Sequence, residues 1–516
     1  MRLTVLLSLC LPLWSSAQDS LVLFNEIKYL SNFERNAFRK FYVEKNEDDI
    51  LDLFLSTDTR PEGIRGNTME RIEQISRQLQ ASLGDKKKPE KQVKAVYDQV
   101  HSAFLKKYEL VNRFPEIFQN GNYNCVTATA LYSLVFERLK IPYSIQEKPT
   151  HVFLIAYPNQ NNILVETTTP LFGYLTFDNR YKENFVNNLK SQKLIGNAES
   201  ESMALEELFN KYFFQNENIN LKQLVGIHYL NDALYYNDRR DVSMALKQIE
   251  KAYLFHPTHR IGFVMMSFVV QSLENTKLKP LERTALILKA SRFSNQGISS
   301  DMIKGEFAKL TELVLVRDNN KTLYRECYQL LVDGVTDLDL KTDLTYYFNY
   351  EIARLYFNQG SYSLAKIYFA KALKYQPNNA QLGGLFVNTL GQSMRNQTDS
   401  RAILDTLKYY HQTFRTLHEN NNFMSMFATS YVVAFGDAMD AGNPAEGLKH
   451  QAAFEALCEA NKDLVIPYPT ISRAYSEAGA YYFKLGQKSK ARALFDKGLQ
   501  LAPGDYELRR RKQMIN

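Results

Sequence analysis

Residues 121–170 read GNYNCVTATALYSLVFERLKIPYSIQEKPTHVFLIAYPNQNNILVETTTP, and the reading of this stretch decides the fold of the first part of the chain. Cys125 follows a polar turn and opens a run in which Val126, Ala130, Leu131, Leu134, Val135 and Leu139 recur as the buried stripe of a helix. The spacing therefore puts Cys125 at a helix N-terminus, with Asn122 or Asn124 as N-cap. Unpaired backbone N–H groups and the positive end of the macrodipole favour a thiolate at such a place. The helix is expected to stop near Ile141–Pro142. Three extended pieces follow, Tyr143–Gln146, His151–Tyr157 and Asn162–Thr168, the last two divided by the turn-forming residues 158–162. His151 opens one strand and Glu166 is expected inside the next. Pairing Tyr157 with Asn162 puts Phe153 opposite Glu166 and makes Glu166 a diagonal neighbour of His151. A slip of one residue would throw Glu166 to the other face.

A cysteine, a histidine and an acid in this order supply what thiol chemistry requires. A free thiol is only a few per cent thiolate at neutral pH, so a cysteine nucleophile needs a base beside it and a positive field around it. The third group holds the imidazole in the tautomer that faces the sulfur correctly. Backbone N–H groups at the helix start, with Asn122 or Asn124 as candidate side-chain donors, can stabilise an oxyanion.

The layout resembles the core of the transglutaminase-like superfamily, a branch of the papain-like cysteine folds. The resemblance lies in the G-x-x-x-C turn into a helix, the helix end R-L-x-I-P, a strand, a histidine heading the next strand as H-V-F, and an acid in the following one. It implies Cys125 as nucleophile, His151 as base and Glu166 as third member. The chain departs from the family in having Glu-Thr-Thr where Asp-Pro-Thr is usual, and Phe153 where a Trp often stands two residues after the histidine.

Composition is globular, with 516 residues, 45% hydrophobic and 23% charged, enough for two or more domains. The net charge of +7 is spread without a sustained basic stripe, so no nucleic-acid partner is expected. Met1–Ala17 has one basic residue, an apolar run from Leu3 to Trp14 and a small-residue end, Ser15-Ser16-Ala17. That pattern is a secretory signal peptide, so the expected mature chain starts at Gln18 and is periplasmic or secreted. Leu9 is too large to precede a lipidated Cys10. No later stretch is apolar enough for a transmembrane segment. Export leaves Cys125, Cys327 and Cys458, an odd number, with the last two on helical stripes and expected to be buried thiols.

The transglutaminase-like domain is expected over residues 18–196, with the specific resemblance confined to 91–170, followed by a helical connector over 197–225. From 226 to 516 the chain changes character. Three windows end alike, ALKQIEKAYLFHP at Pro257, LAKIYFAKALKYQP at Pro377 and KARALFDKGLQLAP at Pro503. Aligned on these prolines, small residues recur at Ala233, Ala353 and Gly479, at Ala245, Ala365 and Ala491, and at Ala252, Ala372 and Gly498. Tyrosines recur at Tyr236, Tyr356 and Tyr482, and large apolar residues at Ile249, Phe369 and Phe495. Small residues let paired helices approach and large ones fill the groove to the next pair. The pattern resembles the tetratricopeptide repeat, best at Tyr346–Asn379 and then at Tyr475–Gly504.

The expected fold is thus an α+β N-terminal domain, its nucleophile helix packed on a small antiparallel sheet, followed by an all-α tetratricopeptide-like solenoid, mostly helical overall. The resemblance implies an exported cysteine enzyme acting on peptide or carboxamide bonds, with the array binding a polypeptide substrate or protein partner. The alternative is a non-catalytic binding scaffold of the bacterial envelope. No cofactor is expected. Nor is a metal: His256 and His259 have a tempting spacing but fall at a helix end, where histidine suits the dipole and the last carbonyls.

Overall fold

Gly121 turns the chain toward the helix that Cys125 opens with φ +82°, and a Cβ there would lie 2.7 Å from the Lys106 side chain. Its carbonyl accepts from the N–H groups of Lys106 and Lys107 at 2.9 and 3.2 Å. This contact sets two short parallel strands, Lys107–Tyr108 (β1) and Asn122–Tyr123 (β2), immediately before the helix Cys125–Arg138. The computed structural model describes residues 21–515 apart from 47–48, 59–60, 84–87, 149, 169–172, 177–178, 192–194, 196–201 and 214–217. The expected leader, 1–17, lies outside the described residues, as do residues 197–201 and 214–217 of the expected connector.

Five further strands form one antiparallel sheet: Tyr143–Lys148 (β3), His151–Ala156 (β4), Ile163–Val165 (β5), Tyr174–Thr176 (β6) and Asn218–Ile219 (β7), in the order β6-β5-β4-β3-β7. In β4 and β5, Leu154 faces Val165 and Ala156 faces Ile163, which is the register that pairs Tyr157 with Asn162. The Asn162 N–H donates to the Tyr157 carbonyl at 3.1 Å, closing the turn. Strand β4 reads as a continuous apolar run because both of its faces are covered. Phe153, Ile155 and Leu164 pack with Val186, Leu208 and Phe209 of the helices Asn179–Ser191 and Leu205–Phe213. On the helix Cys125–Arg138, Thr129 Oγ1 donates to the Val152 carbonyl at 3.4 Å.

Strand β7 falls within residues expected to be a helical connector. It covers the free edge of β3, with Ile145 opposite Ile219 and Gln146 opposite Asn218. An edge left open is a liability, and two residues are too few to show a period.

Packing divides the chain later than the change in composition does. The first unit runs to Leu278 and includes Lys289–Ile298, so it takes in the helices Leu221–Asp238, Val242–Phe255 and His259–Leu273 along with the sheet. The reason is a buried polar chain. Lys251 Nζ donates to Glu34 Oε1 at 2.7 Å and to Gln248 Oε1 at 2.6 Å, Gln248 reaches Asp232, and Arg113 Nε donates to Asp232 at 2.7 Å. Lys251 and Glu34 have fully buried side chains. An aromatic cluster closes around them, with Phe38 edge-on to Phe255 at 5.1 Å and Tyr229 stacked on Phe255 at 6.0 Å. The helix Asn32–Tyr42 is thereby tied to the pair 221–255.

The second unit comprises Lys279–Leu288 and Ser299–Asn516 and is helical throughout its regular structure. Its pairs Leu338–Asn358 with Tyr362–Tyr375, and Tyr468–Lys484 with Lys488–Leu501, pack antiparallel as the aligned windows require. Ala353, Ala365, Ala372 and Ala491 are fully buried. Gly479 allows the closest approach, since a Cβ there would meet the Phe495 ring at 2.2 Å. Overall the protein is mostly helical, 73%, with tetratricopeptide-type repeats and one small antiparallel sheet. Among the described residues no helix is long and apolar enough to cross a membrane.

Candidate active site

The turn that presents Cys125 is held by a capping box. Asn124 Oδ1 accepts from the Thr127 N–H at 3.0 Å, and Thr127 Oγ1 accepts from the Asn124 N–H at 2.9 Å. Asn124 Nδ2 donates to the carbonyls of Leu110 and Asn112 at 3.2 and 3.3 Å. Its side-chain donors are thus engaged, so Asn124 acts as the cap and not as the oxyanion donor expected from sequence. Asn122 lies in β2, before the cap. The N–H groups of Cys125 and Val126 have no acceptor within the helix, and both residues line the cleft described below.

Asn112, which sequence reasoning missed, locks this turn from outside. Its Nδ2 donates to the Asn122 carbonyl at 2.9 Å and its Oδ1 accepts from Thr127 Oγ1 at 2.7 Å. It is 1% exposed. A polar residue in a loop thirteen positions before Cys125 carries no local signal of that role.

His151 opens β4, opposite Lys148. Its Nε2 lies 2.9 Å from Glu166 Oε2 and 3.1 Å from Oε1. Glu166 follows β5 by one residue, where its N–H donates to the Gly173 carbonyl at 3.1 Å. It was expected inside the strand, but β5 ends at Val165. Thr168 fixes the carboxylate, its N–H and Oγ1 donating to Oε1 at 3.2 and 2.8 Å. With Nε2 engaged by the acid, Nδ1 is the ring nitrogen left for the sulfur, the tautomer being assigned by these partners. Hydrogen bonding to Cys125, then to Glu166, raises the His151 pKa to about 9 against the opposing effect of burial. Burial pushes the Glu166 carboxyl up, but the His151 hydrogen bond and charge and the two Thr168 donors outweigh it and hold it below the ordinary range.

Cys125, half-buried and free of any disulfide, and His151 both line a cleft of about 300 Å³. It is also lined by Ile227, Leu230 and Leu234 of the helix Leu221–Asp238 and by Val264 of the helix His259–Leu273. Sequence reading assigned residues from 226 onward to the repeat array; here they supply part of the lining of this cleft. His256, expected to answer its own helix end, instead sits 2.8 Å from Glu147 of β3, and Arg260 binds the other Glu147 oxygen at 2.5 Å. Among the described residues no group of histidines, cysteines and acids could hold a metal ion. Cys327 and Cys458 are free thiols, the first buried as expected and the second half-buried.

Two stretches match models of the tetratricopeptide repeat, residues 346–379 and residues 472–505. They coincide with the two windows singled out by their small and large residues. No transglutaminase-like domain is detected by that comparison. No curated protein matches the chain. The repeats point to a protein-binding role.

Proposed function

We propose that the protein is an exported cysteine enzyme of transglutaminase-like type that acts on peptide or carboxamide bonds of a polypeptide bound by its repeats. The observation that supports this is that Cys125 and His151 line one cleft and His151 Nε2 lies 2.9 Å from Glu166 Oε2, the three residues coming from separate segments. Export rests on the pattern of Met1–Ala17.

The chemistry follows from these three residues. The Cys125 sulfur attacks the carbonyl carbon of the donor amide, and the carbonyl electron pair moves onto oxygen, toward the N–H groups of Cys125 and Val126. Imidazolium His151 gives its proton to the departing nitrogen, and a thioester remains. Water or an amine then attacks the thioester while His151 takes its proton, and the thiolate leaves. Glu166 keeps the ring oriented throughout and stabilises its charged form.

A second reading, a non-catalytic binding scaffold, is favoured by one observation, that the family matches fall only on the repeats. Iodoacetamide separates the two. The enzyme requires fast, pH-dependent alkylation at Cys125 that is lost in His151→Ala. A Cys125 thiol that reacts no faster than a cysteine in a model peptide leaves the scaffold.

A further inference from the structure

The cleft beside Cys125 is lined unequally. Among the residues that line it with Cys125, Ile227, Leu230 and Leu234 recur at helical spacing along one face, and Val264 from a neighbouring helix joins them. Leu234 is 41% exposed and Leu230 6% exposed, so the outer part of the wall keeps apolar surface open to a ligand. Glu147 is the one acid lining the cleft among the described residues, and it is bound by His256 and Arg260. The other charged groups on the lining, Lys148, Arg260 and His151, are basic. Such a surface gains by covering an aliphatic or aromatic side chain and offers no partner to a cation. Its volume, about 300 Å³, sits at the small end of the roughly 300–1,000 Å³ of ligand pockets, which suits one or two residues.

We infer that the helices 221–238 and 259–273 form the specificity wall of this site, and that the acyl donor carries an aliphatic or aromatic side chain next to the reacting carbonyl. The inference rests on Cys125 acting as the nucleophile proposed above. It assigns these helices a direct part in choosing the donor.

Three peptidyl chloromethyl ketones that differ only in the side chain beside the ketone, Leu, Gly or Lys, test it on the full chain. Each forms a thioether at the sulfur and releases chloride, so mass spectrometry of the Cys125 peptide gives the rate. The Leu probe is expected to react about tenfold faster than the Gly probe, the discrimination one apolar side chain ordinarily provides, and the Lys probe no faster than Gly. Leu234→Lys should bring the Leu-to-Gly ratio close to one, and Leu234→Ala should lower it in part; the ratio cancels any change in thiol reactivity. If the three probes react alike while iodoacetamide is fast, or if Leu234→Lys leaves the ratio intact, the wall does not select the donor. Slow iodoacetamide alkylation of the wild type instead removes the nucleophile itself, and this inference with it.

Discussion

Glu166→Gln tests the geometry of the His151–Glu166 pair most directly, because the surroundings dictate how the new amide must sit. Thr168 donates twice to Oε1, from its N–H and its Oγ1, so the glutamine oxygen is held there. The NH₂ group then replaces Oε2, the oxygen 2.9 Å from His151 Nε2. A donor now faces Nε2 at the shorter of its two contacts, which favours Nε2 as acceptor and moves the proton of the neutral ring to Nδ1, toward the sulfur, against the remaining 3.1 Å contact with the oxygen. In that tautomer the imidazole cannot take a proton from Cys125. The lost charge also matters. The two side chains are 29% and 20% exposed, so a carboxylate at ~3 Å through an effective dielectric of ~40–80 contributes about 1.4–2.8 kcal/mol, or about one to two pKa units. The His151 midpoint, about 9 in the native protein, should fall by that much, and alkylation of Cys125 at pH 7 by at least about tenfold. Turnover, where it is measured, should fall toward the ~10⁴-fold loss that follows an inverted tautomer in a triad. Nitrogen-15 NMR of labelled histidine reads both the tautomer and the midpoint. A midpoint that stays near 9 with Nε2 still protonated in Glu166→Gln would refute the reasoning, since the acid would then hold neither the charge nor the ring.

Four further outcomes are expected. Because the His151 value lies above its ordinary one, its contribution to stability is complete below about pH 6.5 and is lost as pH rises through about 9; urea denaturation across that window should show the loss, and Cys125→Ser should reduce it. Lys251→Met leaves Glu34 buried without its counter-charge and should cost about 3–5 kcal/mol, of which Lys251→Met with Glu34→Gln should recover part, since the amide oxygen still accepts from Tyr229 while its NH₂ meets the Leu30 N–H. Arg240 holds φ +63° at the turn position where Gly360 and Gly486 stand in the matched repeats, so Arg240→Gly should stabilise the first unit by roughly 0.5–1 kcal/mol in the same assay. Gly479→Ala drives a methyl into the Phe495 ring and should cost about 1–3 kcal/mol, seen as a lower melting temperature of the second unit.

The parts legible in the sequence were those whose cause is local. The turn residues 158–162 set the hairpin register, so the nearness of Glu166 to His151 could be derived from counting along two strands. Alternating small and large positions revealed the helix pairs at 346–379 and 472–505 because each pair repeats its own packing problem. What was not legible depends on partners far along the chain. Nothing near Glu34 announces Lys251, and nothing near Glu147 announces His256. Strand β7 is too short to carry a period. Asn124 was seen as a cap, but its engagement with Leu110 and Asn112 required the loop that only folding brings alongside. The cleft wall escaped for a related reason. The helices 221–238 and 242–255 have the small-residue pattern of a repeat and obey it, with Ala233, Ala245 and Ala252 fully buried, yet they pack with the sheet-bearing unit.

The buried chain from Glu34 through Lys251, Gln248 and Asp232 to Arg113 governs how the molecule can be dissected. A fragment cut near residue 225, where composition changes, would leave Glu34 and Arg113 with no counter-charge, strip the ring of Phe38 of two of its aromatic neighbours, Tyr229 and Phe255, and remove part of the lining of the Cys125 cleft. Such a piece should be insoluble, and its silence in an assay would be mistaken for a dead enzyme. The smallest excision that keeps its own charges answered runs through Leu278 and carries Lys289–Ile298, because Arg292 and Lys289 answer Glu26 and Glu250 from that short return.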